Sequence, residues 1–130
     1  MTMNDPLASA LSKIGNAEKI GKKIITIKPV SRVIKNILTM MQENHYVGEY
    51  KEIEDGKGNF LELSLVGKIN KCGSIKPRYP VKKDMIEKFE KRYLPSKDFG
   101  IIVVSTPKGM MTHKEMKKNG LGGKLVAYCY

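Results

Sequence analysis

The sequence predicts a mixed α+β protein of two small domains. An N-terminal helix-strand-helix-hairpin unit is expected over residues 1–67, and a C-terminal, mainly β unit with short helices over 68–130. Two patterns predict the class. Apolar residues spaced by three and four mark helices, and alternating or β-branched runs mark strands. Charge predicts the division. Residues 1–67 hold 9 basic and 8 acidic side chains, whereas residues 68–130 hold 15 and 5. Between them, residues 67–80 gather Gly67, Gly73, Pro77 and Pro80 with Lys68, Lys71, Lys76 and Arg78 and no acid, so the boundary falls near residue 68.

In chain order, Asp5 and Pro6 read as an N-cap and a first helical residue. Leu7, Ala10, Leu11 and Ile14 form one apolar stripe, which Gly15 and Asn16 weaken near its end. Ile24, Ile25 and Ile27 mark a strand within 22–28 that Pro29 stops. Ser31 caps a second helix with Val33, Ile34, Ile37, Leu38 and Met41 on one face. Residues 46–54 and 59–66 read as strands, joined through Asp55, Gly56, Lys57 and Gly58, a hairpin signal. Leu61, Leu63 and Leu65 alternate with Glu62 and Ser64, so one face is buried.

Beyond the break, 69–75 reads as a strand. Residues 82–93 read as a helix with Met85, Ile86, Phe89 and Tyr93 on its buried side and Pro95 past its end. Ile101, Ile102, Val103 and Val104 are consecutive β-branched residues, a strand buried on both faces. It runs into a polar loop of Ser105, Thr106, Pro107, Lys108 and Gly109. Met110 and Met111 return the chain to the interior. Thr112, with Glu115 three residues on, is a capping box that opens a short helix crowded by Lys114, Lys117 and Lys118. Gly120, Gly122 and Gly123 read as a flexible turn before a closing strand over 124–130.

The totals bound the function. No apolar run approaches the roughly 20 residues of a spanning helix. No basic stretch followed by an apolar one opens the chain, so no secretory signal is expected. Cys72 and Cys129 lie far apart, which argues against a disulfide framework and for a reducing setting. The net charge of +11 sits almost wholly in the second half, as on a surface that meets a polyanion. A Lys-rich solvated surface is the rival: there are 21 Lys and one Gln. That explains the number of lysines but not their balance by acids in one half alone.

Several motifs carry chemistry, each beside a plainer reading. The 105–109 loop offers two hydroxyls, a fixed turn and a cation, which suits a base edge, a sugar and a phosphate; the alternative is a surface turn whose Ser and Thr cap their own backbone. Ser31 and Arg32 form a helix start that attracts phosphate or simply caps. Lys76, Arg78 and Tyr79 mix cations with an aromatic, as stacking on nucleic acid requires; Tyr79 can equally be core. Gly122 and Gly123, with Lys124 beside them, permit close backbone approach or form a plain turn. His45, Cys72, His113 and Cys129 lack metal-ligand spacing, so no metal and no cofactor is expected. Ser105 and His113 lack the G-x-S-x-G elbow, and no phosphate-binding P-loop is present.

The stretch G-I-I-V-V-S-T-P-K-G-M-M-T, followed by G-L-G-G-K-L-V-A-Y, closely resembles the C-terminal signature of the family of the eighth protein of the small ribosomal subunit. The opening M-x-M-N-D-P-L-A-x-x-L-x-K-I-x-N resembles that family's N-terminus, so the likeness brackets the chain. Residues 76–82 look closer to its archaeal and eukaryotic branch, and Pro107 stands where bacterial members usually carry Ser. The resemblance implies a two-domain structural protein without catalytic activity. It implies binding to an irregular helix in the central domain of small-subunit ribosomal RNA, and support of assembly. It further implies neighbouring small-subunit proteins as partners, a cytoplasmic location, no membrane and a monomer outside the ribosome. The 105–109 loop is then the primary RNA site, and Ser31, Arg32, Arg78, Tyr79, Gly122, Gly123 and Lys124 are secondary contacts. A small enzyme gripping a phosphate ligand with the same loop is the alternative from another class, and a basic protein–protein adaptor is a third.

Overall fold

A computed structural model describes residues 6–28, 30–54, 56, 58–75, 78–96 and 99–130. It divides into two compact units, Met1–Cys72 and Gly73–Tyr130.

In the first unit, α1 (Pro6–Lys19), β1 (Ile24–Ile27), α2 (Arg32–Glu43), β2 (Val47–Glu54) and β3 (Asn59–Leu65) follow in order. The N-cap expected at Asp5 and the strand stop expected at Pro29 lie outside the described residues. α1 runs through Gly15 and Asn16 to end at Lys19, so the pair lies in its last part. A helical Gly costs about 1 kcal/mol relative to Ala, but Ile14 and Ala17 on either side of the pair are both buried. Ser31 caps α2 by accepting the Ile34 amide at 3.2 Å. Ile34, Ile37, Leu38, Met40 and Met41 form the buried face of α2. Past its end His45 takes a left-handed φ of 66°, a position usually given to Gly or Asn. The three strands form an antiparallel sheet in the order β1-β3-β2. Leu61, Leu63 and Leu65 of β3 are buried, as their alternation requires. Asp55 and Lys57 of the joining turn lie outside the described residues; Gly56 and Gly58 have φ of 83° and 131°.

The second unit is built on β6 (Ile101–Thr106), whose first four residues are all buried. β6 pairs on one side with β7 (Gly109–Thr112) and on the other with β8 (Gly123–Cys129), both antiparallel. β4 (Cys72–Ser74) and β5 (Pro80–Val81) complete the sheet beside β8. The strand expected over 69–75 is therefore only three residues long. The helix expected over 82–93 is one 3-10 turn, Lys83–Met85, followed by α3 (Ile86–Tyr93). Met85, expected on the buried side, is 47% exposed because it sits in that turn, outside the stripe that begins at Ile86. Leu94 then becomes extended, as the residue before a proline prefers. α4 (His113–Asn119) starts at Thr112, whose hydroxyl accepts the Glu115 amide at 3.3 Å. Ile75, Val81, Ile86, Leu94, Ile102, Val104, Met111, Met116 and Leu125 form one core. Tyr79, Phe89, Tyr93, Tyr128 and Tyr130 pack against it.

The glycines expected to give a flexible turn are instead fixed. Gly120 has φ 67° and ends α4: the Leu121 amide reaches the Met116 carbonyl at 3.1 Å and the Gly120 amide the Lys117 carbonyl at 3.2 Å. A Cβ on Gly122 would lie 2.9 Å from the Val81 carbonyl oxygen. One on Gly123 would overlap the Ser105 carbonyl and lie 2.8 Å from Val104 Cγ1.

Candidate nucleic-acid interface

The polar stretch 105–109 is a tight hairpin tip rather than a five-residue loop. Ser105 and Thr106 continue β6, and Thr106 pairs with Gly109, leaving Pro107 and Lys108 as the turn. Pro107 presets the first turn position, and Gly109 adopts a φ of 115° that a larger residue avoids. Strand alternation sends the two hydroxyls apart. Ser105 is exposed, while Thr106 is 8% exposed and points inward. Thr106 Oγ1 donates to the Gly109 carbonyl at 2.7 Å and accepts the Lys108 amide at 3.2 Å. Its hydroxyl thus closes the turn, while that of Ser105 faces solvent.

Register brings Ser105 further company. It lies opposite Met110 on β7 and opposite Lys124 on β8, and Lys124 lies opposite Pro80 on β5. Directly opposed residues share a face with Cβ atoms about 5 Å apart. Pro80, Lys124, Ser105 and Met110 therefore form one row across four strands, about 14 Å long at normal strand spacing. Pro80, Lys124 and Ser105 are exposed and Met110 is half-buried. A β-bulge between Val103 and Val104 sets this register. In the sequence Pro80 reads only as part of the break between domains and Met110 as a return to the interior; the structure instead places both in this row, Met110 half-buried.

Gly123 shapes the same place. Without a side chain it lets β8 approach Ser105 and Val104 closely, so this glycine serves the packing behind the row. Arg78 is exposed. Tyr79 is half-buried, packs on the core with its ring 5.7 Å from Phe89, and accepts the Leu125 amide on its carbonyl at 3.0 Å. Lys76 lies outside the described residues. Ser31 and Arg32 lie in the first unit, the first spent as a helix cap and the second exposed.

Not every lysine of the second unit is free. Lys117 pairs with the Glu90 carboxylate, which is 3% exposed. His113 is fully buried beside them, its Nε2 3.6 Å from Glu90 Oε1, and its Nδ1 accepts the Ile102 amide. Burial pushes the His113 pKa down, with Glu90 opposing that shift and Lys117 and Lys114 reinforcing it. A neutral, enclosed imidazole so engaged is no base for the outward Ser105 hydroxyl. Cys72 donates its thiol to the Leu11 carbonyl, and burial pushes its pKa up to about 11. Among the described residues no three His, Cys, Asp or Glu side chains gather as a metal site. No helix among them is long and apolar enough to cross a membrane.

The family model for ribosomal protein S8 matches residues 5–130. The chain belongs to the ribosomal protein S8 family. Members of that family are structural, RNA-binding constituents of the small ribosomal subunit, not enzymes, and sit there among neighbouring ribosomal proteins. In this S8 protein the motif G-I-I-V-V-S-T-P-K-G-M-M-T forms β6, the hairpin tip and β7. The second motif opens at Gly120, the C-cap of α4, and runs through Leu121 and Gly122 into β8. The two most specific stretches of sequence thus supply three of the four strands of the row, and β5 supplies Pro80.

Proposed function

We propose that the chain grips an irregular helix in the central domain of small-subunit ribosomal RNA with the 105–109 hairpin tip and the adjoining row, and that by fixing this RNA it supports subunit assembly. The observation that carries the reading is the outward Ser105 hydroxyl, held between Lys124 and Met110 near the end of a strand whose first four residues are buried. A preorganised group loses little entropy on binding and discriminates geometry. Sequence-specific RNA recognition targets unstacked bases, because the A-form major groove is too narrow to read. Ser105 would read a base or sugar, Lys108 and Lys124 would neutralise phosphates, and Pro107 would pack on a base. Thr106 acts through the turn it holds. The protein would act as a monomer that joins its neighbours in the cytoplasmic small subunit.

The test is binding of the full chain to an RNA helix with an internal bulge from the central domain, against a regular duplex of equal length. A preference of at least tenfold for the irregular helix, lost in Ser105→Ala, is expected. Equal binding of both RNAs by the unmodified protein would overturn the reading.

A further inference from the structure

β1 is an edge strand: among the described residues it pairs with β3 alone. Its register shows which of its backbone groups are spent. Just before the pair Ile24–Ser64, the Leu65 amide donates to the Lys23 carbonyl at 2.8 Å. Hydrogen-bonded pairs alternate along an antiparallel ladder, so Ile25–Leu63 and Ile27–Leu61 are the next two. The amides and carbonyls of Ile24 and Thr26 therefore point away from β3, to the free edge of the sheet.

Native edges are blunted by brevity and by lysines. β1 is short and Lys22, Lys23 and Lys28 flank it, but it is not closed. Ile20 is 69% exposed and Ile24 57%, more than any other large apolar residue among the described ones. A cleft of about 540 Å³ lies between β1 and the flank of α1. The buried Ala17 and Ile25 line it, with the exposed Lys13, Asn16, Ile20 and Lys22 around them, and no carboxylate.

We propose that the free edge of β1 receives an extended acidic segment of another protein, which adds a strand to the sheet of the first unit. Main-chain hydrogen bonds to Ile24 and Thr26 hold such a segment, and alternate side chains select it. Charge decides the occupant. Residues 1–28 carry Lys13, Lys19, Lys22, Lys23 and Lys28 against Asp5 and Glu18. A second copy of this chain would bring the same lysines to the same edge, so the cations that repel it favour an acidic strand. RNA would meet the lysines too, but its phosphates offer only acceptors to the outward carbonyls and nothing apolar to Ile20 and Ile24. The inference uses no residue of the hairpin site and does not depend on it.

The test uses the full chain with a synthetic peptide of alternating Glu and Val, and with its Lys and Val counterpart. Amide hydrogen exchange is read by nuclear magnetic resonance. In the free chain the Ile24 and Thr26 amides should exchange at least tenfold faster than those of Ile25 and Ile27. The Glu–Val peptide should slow both at least tenfold, and the Lys–Val peptide should not. Thr26→Pro removes one outward amide at a position where an edge strand tolerates proline. It should keep the circular dichroism spectrum and the Ser105-dependent RNA preference while weakening the Glu–Val peptide at least tenfold. Lys13→Glu/Lys22→Glu, which leaves the backbone alone, should reverse the preference between the peptides. Equal binding of the two peptides, binding of neither, or binding that leaves both amides unprotected would overturn the proposal. So would protection of these amides by small-subunit RNA alone, and the hairpin site would stand in every case.

Discussion

The Ile102 amide donates to His113 Nδ1 at 3.1 Å, and both residues are fully buried. β7 ends at Thr112, opposite Val103, so Ile102 is the next residue of β6 with no strand partner on that side. The imidazole replaces the missing carbonyl and lets α4 begin without orphaning a buried donor.

Because Nδ1 accepts, the proton of the neutral ring sits on Nε2 and faces Glu90. The groups around the ring are Glu90 from α3 and Lys117 and Lys114 from α4. Burial lowers the folded-state pKa below the ordinary histidine value of about 6.5. Between the lowered value and about 6.5 the unfolded chain binds the extra proton, so stability rises with pH there. It is complete above about pH 6.5 and falls as the solution is acidified below it, by at most about 1.4 kcal/mol per pH unit. Urea midpoints at pH 7.5, 6.5 and 5.5 should show this decline. His113→Asn, which keeps an acceptor but no titration, should flatten it; a slope unchanged by that substitution would refute the assignment.

Lys117 should differ from Lys108 and Lys124 in kind. Its ammonium compensates the buried Glu90 carboxylate, whereas Lys108 and Lys124 are exposed. Lys117→Ala strands a buried charge and should cost about 3 kcal/mol of stability, with little change in the salt slope of RNA binding. Lys108→Ala or Lys124→Ala should leave the melting temperature within about 2 °C but lower the slope by about 1 each. Melting curves and salt titrations of the three variants check the contrast.

Much of this was legible in the sequence. Apolar periodicity found α1, α2 and β3, and the capping signals at Ser31 and Thr112 are the caps in the structure. β7 escaped notice because Gly-Met-Met-Thr is short and does not alternate, and Ser105 and Thr106 read as loop because they are polar. The buried hydroxyl of Thr106 needs Gly109 and Lys108 around it before it can be recognised as internal. The row beside Ser105 is set by a β-bulge and by cross-strand register, which no single segment encodes. Gly123 looked permissive and is in fact a steric requirement of its neighbour across the sheet.

That requirement gives a sharp outcome. Gly123→Ala forces a methyl group against the Ser105 carbonyl and Val104. Both are backbone or core atoms, so they yield only by shifting β6. The change should destabilise by about 1–3 kcal/mol and weaken specific RNA binding by displacing Ser105. Gly58→Ala, with φ 131° but open space around it, should lower stability while leaving RNA preference intact. A Gly123→Ala protein of normal stability and normal RNA preference would show that β8 does not crowd β6.

The two hydroxyls of the hairpin should separate cleanly. Ser105 is exposed at a strand end paired on both sides, and its hydroxyl has no hydrogen-bond partner among the described residues. Ser105→Ala should therefore keep the melting temperature and lose about 1–3 kcal/mol of specific affinity, because a polar partner on the RNA is left unmet at a dehydrated contact. Binding to non-specific RNA should hardly move, since no charge is removed. Thr106 is the opposite case. Its hydroxyl joins the Gly109 carbonyl to the Lys108 amide, so Thr106→Val keeps the shape and removes both hydrogen bonds. That variant should be less stable by about 1–3 kcal/mol. It should weaken all RNAs together, because Pro107 and Lys108 lose their fixed placement. Measuring specific affinity, non-specific affinity and melting temperature for each variant distinguishes the roles. A Thr106→Val protein of full stability that loses only the preference for the irregular helix would make Thr106, not Ser105, the residue that reads the RNA.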